Sequence, residues 1–151
     1  MNLKKIILYK EPSISEINTE LLTEFLEEKF PIKVEIRNNV FKEFSLEDIK
    51  KLSNIRITDI KNPFSEHKSS DDEIEFEKKL CEDSSVMNST TKVENAQEIS
   101  EVFMYDGFEL QKILRYLNKD NEVLHIILTN RLTCTFDEND KRYHARAVIC
   151  A

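Results

Sequence analysis

The chain has 151 residues, of which 40% are apolar and 34% are charged, and its 22 basic and 29 acidic side chains give a net charge of −7. A chain of this length buries roughly 70% of the surface that it exposes when unfolded, which is enough for one domain with a substantial core. Its single glycine excludes phosphate-binding loops, dinucleotide fingerprints and nucleophile elbows, because each of these motifs needs more than one glycine.

The charges and the apolar runs indicate which partners and which compartment to expect. Residues 123–151 hold four basic and three acidic side chains, so the excess of acid lies in residues 1–122. An acidic body repels the phosphate backbone of nucleic acids. The apolar run at residues 6–9 is too short for a signal-peptide core, and no window approaches the ~20 apolar residues of a membrane span. We therefore expect a cytoplasmic protein without nucleic-acid or membrane partners, whose three cysteines stay reduced.

The first predicted elements are a strand, a helix and a second strand. Residues 4–9 form a short apolar strand, and Asn18 caps a helix whose apolar stripe ends at Pro31. Residues 32–37 then alternate between apolar and charged side chains, which is the period of a half-exposed strand. A strand-helix-strand order predicts two parallel neighbouring strands with the helix on one face of the sheet.

A second helix and a polar insertion follow. Ser45 and Asp48 form a capping box for a short helix, and residues 55–60 indicate a weaker third strand. Residues 62–98 are rich in polar side chains. We interpret them as a partly mobile insertion that contains a helix over residues 71–82.

The last third of the chain is predicted to form a helix, a strand and a hairpin. The helix begins at Asp106, and residues 123–129 are almost continuously apolar, which is typical of a central strand covered on both faces. Residues 131–136 and 142–150 form two strands joined by an Asp-Glu-Asn-Asp turn. The sequence thus predicts a single α/β (α+β) domain, three-layer-like, with a mixed sheet and a C-terminal antiparallel hairpin.

The zinc-binding and nucleophilic motifs of known peptidases do not occur in the sequence. A catalytic zinc helix needs two histidines four residues apart, and His67, His125 and His144 offer no such pair. No local signature of a catalytic cysteine surrounds Cys134 or Cys150. We therefore expect no catalytic residue, no metal site and no cofactor in this chain.

One cluster on the predicted hairpin combines acidic, basic and aromatic side chains. Two interpretations of it remain open: the side chains pair across the turn and stabilise it, or they bind or orient a ligand. The candidate binding residues are Asp137, Asp140, Arg142, Tyr143, His144 and Arg146.

Five segments of the chain carry a resemblance to a known family. They are IILYKEP (6–12), YDGFELQ (105–111), LHIILTNRL (124–132), FDEND (136–140) and RYHAR (142–146). Together they resemble an archaeal family of uncharacterised metallopeptidases related to the archaemetzincins.

The resemblance implies a metzincin-like N-terminal subdomain, in which an antiparallel edge strand lines the substrate cleft. Residues 131–136 would be that edge strand, and residues 142–150 would lie between it and residues 123–129. An edge strand can pair with an extended peptide through its free backbone groups. The zinc-binding helix of the family does not occur in this sequence. The resemblance therefore implies zinc only in full-length relatives, and here a truncated, catalytically incomplete peptidase.

Two classes of function remain open. In the first, the chain is the sheet-forming, substrate-cleft portion of a zinc-dependent metallopeptidase. In the second, it is a small non-enzymatic α/β protein that binds a peptide or protein partner through an edge strand. Self-association through an uncovered apolar face is a further expected interaction in either class.

Overall fold

A computed structural model describes residues 3–59, 66–85, 104–117 and 119–145, which form two small sheets and four helices. This arrangement confirms the predicted mixed α/β class. Within these residues, every helix falls short of the length and apolar content that a bilayer crossing requires. The strands are β1 (Lys5–Lys10), β2 (Lys33–Arg37), β3 (Met104–Asp106), β4 (Val123–Leu128), β5 (Leu132–Asp137) and β6 (Arg142–Ala145). The helices are α1 (Thr19–Lys29), α2 (Leu46–Asn54), α3 (Asp71–Glu82) and α4 (Gly107–Leu114), with 3₁₀ turns at Val40–Glu43 and Arg115–Leu117.

The first sheet is parallel, in the order β2-β1-β4. The predicted crossover from β1 through α1 to β2 is confirmed. The prediction that residues 123–129 form the central strand is wrong, since β1 is central and every residue of β4 is only half-buried. Both faces of β4 do contact core clusters. The continuous apolar run of β4 indicates that both of its faces are packed, but it does not indicate where β4 lies in the order of strands.

The second sheet has the order β3-β5-β6, with β3 parallel and β6 antiparallel to β5. The predicted hairpin is confirmed. The prediction of a single mixed sheet is wrong, because the strands form two sheets. The predicted edge position of residues 131–136 is also wrong, because β3, a short strand that the sequence did not predict, pairs with the other side of β5. Among the described residues β6 pairs with β5 and not with β4. Residues 146–150 of the predicted last strand lie outside the described residues.

Polar caps define where the helices begin. Asn18 accepts hydrogen bonds from the first turn of α1, and Asp106 does the same for α4. Ser45 and Ser70 form reciprocal capping boxes at α2 and α3. Each cap satisfies backbone N–H groups that have no partner within the helix, so these helix starts are set locally.

Part of the predicted polar insertion contributes to the core. Its described portion, residues 66–85, contains α3, and Leu80 and Cys81 of this helix are buried. The remainder of the predicted insertion lies outside the described residues. Of the predicted strand at residues 55–60, residues 55–59 are described, and among them only Arg56 forms a β-bridge, with Tyr105 of β3 as its partner.

The first sheet separates two apolar clusters. Ile7 and Tyr9 of β1 lie in a cluster with residues of α2, α4 and the first 3₁₀ turn. Ile6 and Leu8 point to the opposite face and contact α1. This alternation gives the three-layer arrangement that the sequence predicts.

Two of the three cysteines lie in the described residues. Cys81 and Cys134 are both buried free thiols. Burial raises the pKa of the Cys81 thiol to about 12, so almost none of it is ionised and reactive at neutral pH.

A buried ion network joins both sheets to α3. The side chains of Arg131, Glu11 and Glu77 are fully buried. Arg131 Nε donates to Glu11 Oε1 at 3.1 Å, and its Nη1 donates to Glu77 Oε1 and to the Tyr105 hydroxyl, the latter at 2.9 Å. The Tyr105 hydroxyl donates to Glu77 Oε2 at 2.8 Å, and the Thr129 hydroxyl donates to Glu11 Oε2. Every charged group of the network therefore has at least two polar partners.

Arg131 stays charged in this environment. Burial alone would lower its pKa, but its partners Tyr105, Glu77 and Glu11 raise the pKa well above the usual value. The guanidinium carbon also lies 4.4 Å from the ring centroid of Phe41, within the range of a cation–π contact.

We predict that Arg131→Met lowers the free energy of unfolding by about 3–5 kcal/mol, because it leaves two buried carboxylates without their cation. Urea denaturation measures this change. Lys51→Met is the matched control: Lys51 makes an exposed ion pair with Glu47, so its loss should leave the free energy of unfolding nearly unchanged. Equal stability of the two variants would contradict a coupled buried network.

We also predict a pH dependence from His125. Its ring stacks on Tyr9 with centroids 5.8 Å apart. Burial, assisted by the positive charges of Arg37 and Lys5, lowers the pKa of His125. The unfolded chain, with a histidine pKa of ~6.5, therefore takes up the proton first as the pH falls. The contribution of neutral His125 to the free energy of unfolding is therefore complete above pH ~6.5. It is lost as the pH falls through the lower pKa that His125 has in the folded protein.

The measurement compares unfolding free energies of the parent and of His125→Gln across this range. The parent should lose more stability than the variant as the pH falls below ~6.5. Parallel pH profiles would show that His125 does not titrate differently in the folded protein.

Candidate functional site

The hairpin of β5 and β6 presents two chemically different faces. Asp137 lies opposite Arg142, and Thr135 lies opposite His144. Because side chains alternate along a strand, these four residues share one face. Tyr143 points to the other face, where its ring meets that of Phe136 edge to face at 5.4 Å. One short strand thus carries different chemistry on its two sides.

Three potential metal ligands meet on the first face. Donor atoms of Asp137, Asp140 and His144, which we call the hairpin triad, all lie within 4.8 Å of one another. His144 Nε2 is 2.6 Å from Asp140 Oδ2, and Asp137 Oδ1 accepts a hydrogen bond from the Asn139 backbone N–H at 2.9 Å. Lys141, the residue after Asp140 in this turn, adopts a positive φ of 58°.

The donor set of the hairpin triad fits a divalent cation such as zinc. Zinc accepts imidazole nitrogen and carboxylate oxygen at ~2.0–2.2 Å, and catalytic zinc sites have three protein ligands. Two ligands of one zinc ion are therefore at most ~4.4 Å apart, slightly less than the 4.8 Å within which the donor atoms of the triad lie. Asp140 and His144 keep 47% and 40% of their side-chain surface exposed, so solvent or a substrate can reach this face.

A cleft of about 280 Å³ opens beside Tyr143, on the second face. One wall comes from α2 and the segment after it, the other from the start of α4 and from β6. Its lining residues are Asn54, Ile55, Arg56, Ile57, Thr58, Asp59, Glu66, His67, Asp106, Glu109 and Tyr143.

Tyr143 is held in the wall of this cleft by Asp106. Burial raises the pKa of Tyr143, and the charge of Asp106 and a hydrogen bond to it raise the pKa further. The phenol therefore stays protonated and donates to the Asp106 carboxylate, which also caps α4. This contact ties β6 to α4, the helix that shares its wall of the cleft.

The predicted site residues separate into distinct groups. Three of the six form the hairpin triad, and Tyr143 lines the cleft on the opposite face. Arg142 is exposed on the triad face. Arg146 lies outside the described residues.

Sequence reasoning did not find the cleft or the buried network. Glu66 and Glu109 lie 43 positions apart on either side of α3 and meet only through folding. The sequence did predict a role for Asp106, but as the residue that begins a helix and not as part of a cleft. Arg131 and Glu11 gave no signal of a buried pair, since nothing local marks a charged residue that will be paired in the core.

Comparison with known proteins adds one finding. A family model described as "Probable metallopeptidase family (DUF6775)" matches residues 2–151. The chain has no significant match among curated proteins or solved structures.

Proposed function

Because the chain belongs to the probable metallopeptidase family (DUF6775), we propose that it is the sheet-forming, peptide-binding portion of a zinc-dependent peptidase. The substrate is an extended polypeptide segment that pairs with the outer side of β6. The metal ligands within this chain are the hairpin triad. The proposal keeps the peptide-binding edge that the metzincin resemblance implies but assigns it to β6 rather than to β5.

The observation that carries the proposal is the position of β6. Among the described strands it has one neighbour, β5, and so forms an edge of the second sheet. An edge strand offers unpaired N–H and C=O groups to which an extended peptide adds as a further strand. Tyr143 and His144 are consecutive in β6 and point to opposite faces. A peptide along this edge would therefore run between the cleft on one face and the hairpin triad on the other.

The chain's own residues would bind and orient the substrate. Backbone groups of β6 would fix the peptide in an extended conformation. Tyr143 would form the wall against which a side chain of the peptide lies. Asp137, Asp140 and His144 would hold the metal. A zinc ion bound there supplies a Lewis acid for the peptide carbonyl and lowers the pKa of a bound water.

We propose that these 151 residues bind peptide without cleaving it. The sequence contains no pair of histidines four residues apart, and therefore no paired-histidine helix with its intervening glutamate. In the hairpin the nearest glutamate in sequence, Glu138, makes an exposed ion pair with Lys141.

The alternative is a non-enzymatic protein that binds a partner. The observation in its favour is the exposed apolar side of α1, where Leu21 and Phe25 are 62% and 54% exposed. Exposed apolar patches on soluble proteins frequently mark interaction surfaces. This alternative requires peptide or protein binding but no metal at the hairpin triad, so metal binding discriminates between the two.

We predict that zinc binds the purified protein and that His144→Ala weakens this binding by at least ~10-fold, since it removes the imidazole ligand. Titration calorimetry with zinc chloride measures the affinity. His67→Ala is the matched control, because His67 lies before α3 and is not part of the triad. Unaltered zinc binding in His144→Ala would exclude the triad. No zinc binding by the parent would favour the non-enzymatic alternative. It would also agree with the expectation, based on the absence of paired histidines, that this chain has no metal site.

The second prediction tests strand pairing at β6 with backbone-methylated peptides. Along an extended peptide, every second backbone N–H group faces the strand with which the peptide pairs, and the N–H groups between them face away. Methylation of the facing set should abolish binding, and methylation of the other set should leave it nearly unchanged. Fluorescence polarisation of labelled peptides measures both.

Mass spectrometry of the same incubations, with zinc present, should show intact peptide. Equal tolerance of both methylation patterns would contradict pairing with an edge strand. Metal-dependent cleavage would contradict catalytic incompleteness.

A further inference from the structure

We infer that the cleft beside Tyr143 receives a lysine or arginine side chain of the bound peptide, which makes the protein selective for basic substrates. The inference rests on the proposed function, because the peptide must first pair with β6. It assigns a substrate class to the cleft.

The charges of the cleft favour a cation. Four carboxylates line it, those of Asp59, Glu66, Asp106 and Glu109, against the guanidinium of Arg56 and the imidazole of His67. Lys112 pairs with Glu109, which still leaves more carboxylates than basic side chains at the cleft. The Arg56 guanidinium also lies 5.7 Å from the ring centroid of Phe76. The cleft therefore carries a net negative charge. A narrow concave site with one sign of charge concentrates ions of the opposite sign.

The size and the walls fit one long side chain. A volume of about 280 Å³ lies just below the ~300–1,000 Å³ of pockets that enclose a whole small-molecule ligand. Ile55 and Ile57, both partly exposed, supply an apolar surface. Lysine and arginine bury their aliphatic stems on such surfaces and keep the charged end near acidic groups. The ring of Tyr143 adds a face on which a cation can rest.

The cleft is continuous with the strand that would hold the peptide. Tyr143 belongs both to β6 and to the cleft wall. In an extended peptide, alternate side chains point to the same face of the sheet. Every second residue of a peptide on β6 would therefore face the side on which the cleft lies, and one of them would enter it.

The test compares capped, extended hexapeptides that differ only at one central residue, which is lysine, arginine, glutamine or glutamate. Fluorescence polarisation with the full chain measures their dissociation constants at low and at high salt. We expect the lysine and arginine peptides to bind about tenfold more tightly than the glutamine peptide, and the glutamate peptide to bind least. The preference should shrink at high salt, because ions screen partly exposed charges.

Variants then assign the preference to the cleft. The double variant Glu66→Gln and Glu109→Gln removes two carboxylates from the lining without altering the caps of α4. It should reduce the preference for lysine over glutamine about fivefold or more. The control, Glu47→Gln with Glu75→Gln, makes the same change of net charge at exposed positions in α2 and α3 outside the cleft. It should leave the preference unaltered.

The outcomes separate the inference from the function on which it rests. Equal affinity for all four peptides would overturn the basic-residue preference and leave peptide binding intact. Equal effects of the two double variants would show that the preference comes from the net charge of the chain and would also overturn the inference. Failure of every peptide to bind would overturn the proposed function itself.

Discussion

The pairing of buried Arg131 with Glu11 and Glu77 is the interaction on which the rest of the architecture depends. These side chains come from the end of the first strand, from α3 and from the link between β4 and β5. Each of these buried ions depends on the others, because the loss of water around each ion must be offset by its partners. The planar guanidinium also fixes the direction of each contact. The network therefore sets where α3 and both sheets meet.

This constraint extends to the candidate site through two short connections. Arg131 directly precedes β5, so anchoring its side chain fixes the start of the hairpin. Tyr105 joins the same network from β3, and the next residue, Asp106, caps α4 and holds Tyr143 in the wall of the cleft. The buried network thus positions both the hairpin that carries the triad and the helix that faces it. Peptide binding at β6 would use a strand that has β5 as its one neighbour among the described strands.

Local sequence was sufficient for the elements whose causes are local. The caps at Ser45 and Ser70, the crossover from β1 to β2 and the turn between β5 and β6 were predicted, because side-chain hydrogen bonds and period-two patterns act within a few residues. The hairpin also indicated a cluster of acidic and basic groups. Histidine spacing did not indicate that Asp137, Asp140 and His144 come together, because a tight turn rather than a helical spacing brings them close.

The sequence by itself determined the α/β class, most helix starts and the hairpin, and only the tertiary structure decided the order of strands and the site. β3 has three residues and no period that a pattern can reveal, yet its pairing with β5 moves that strand from the edge to the centre of its sheet. The cleft assembles residues from segments far apart in the chain, among them Glu66 and Tyr143. Buried charges such as Arg131 are unfavourable until their partners are in place, and those partners are supplied only by the complete fold.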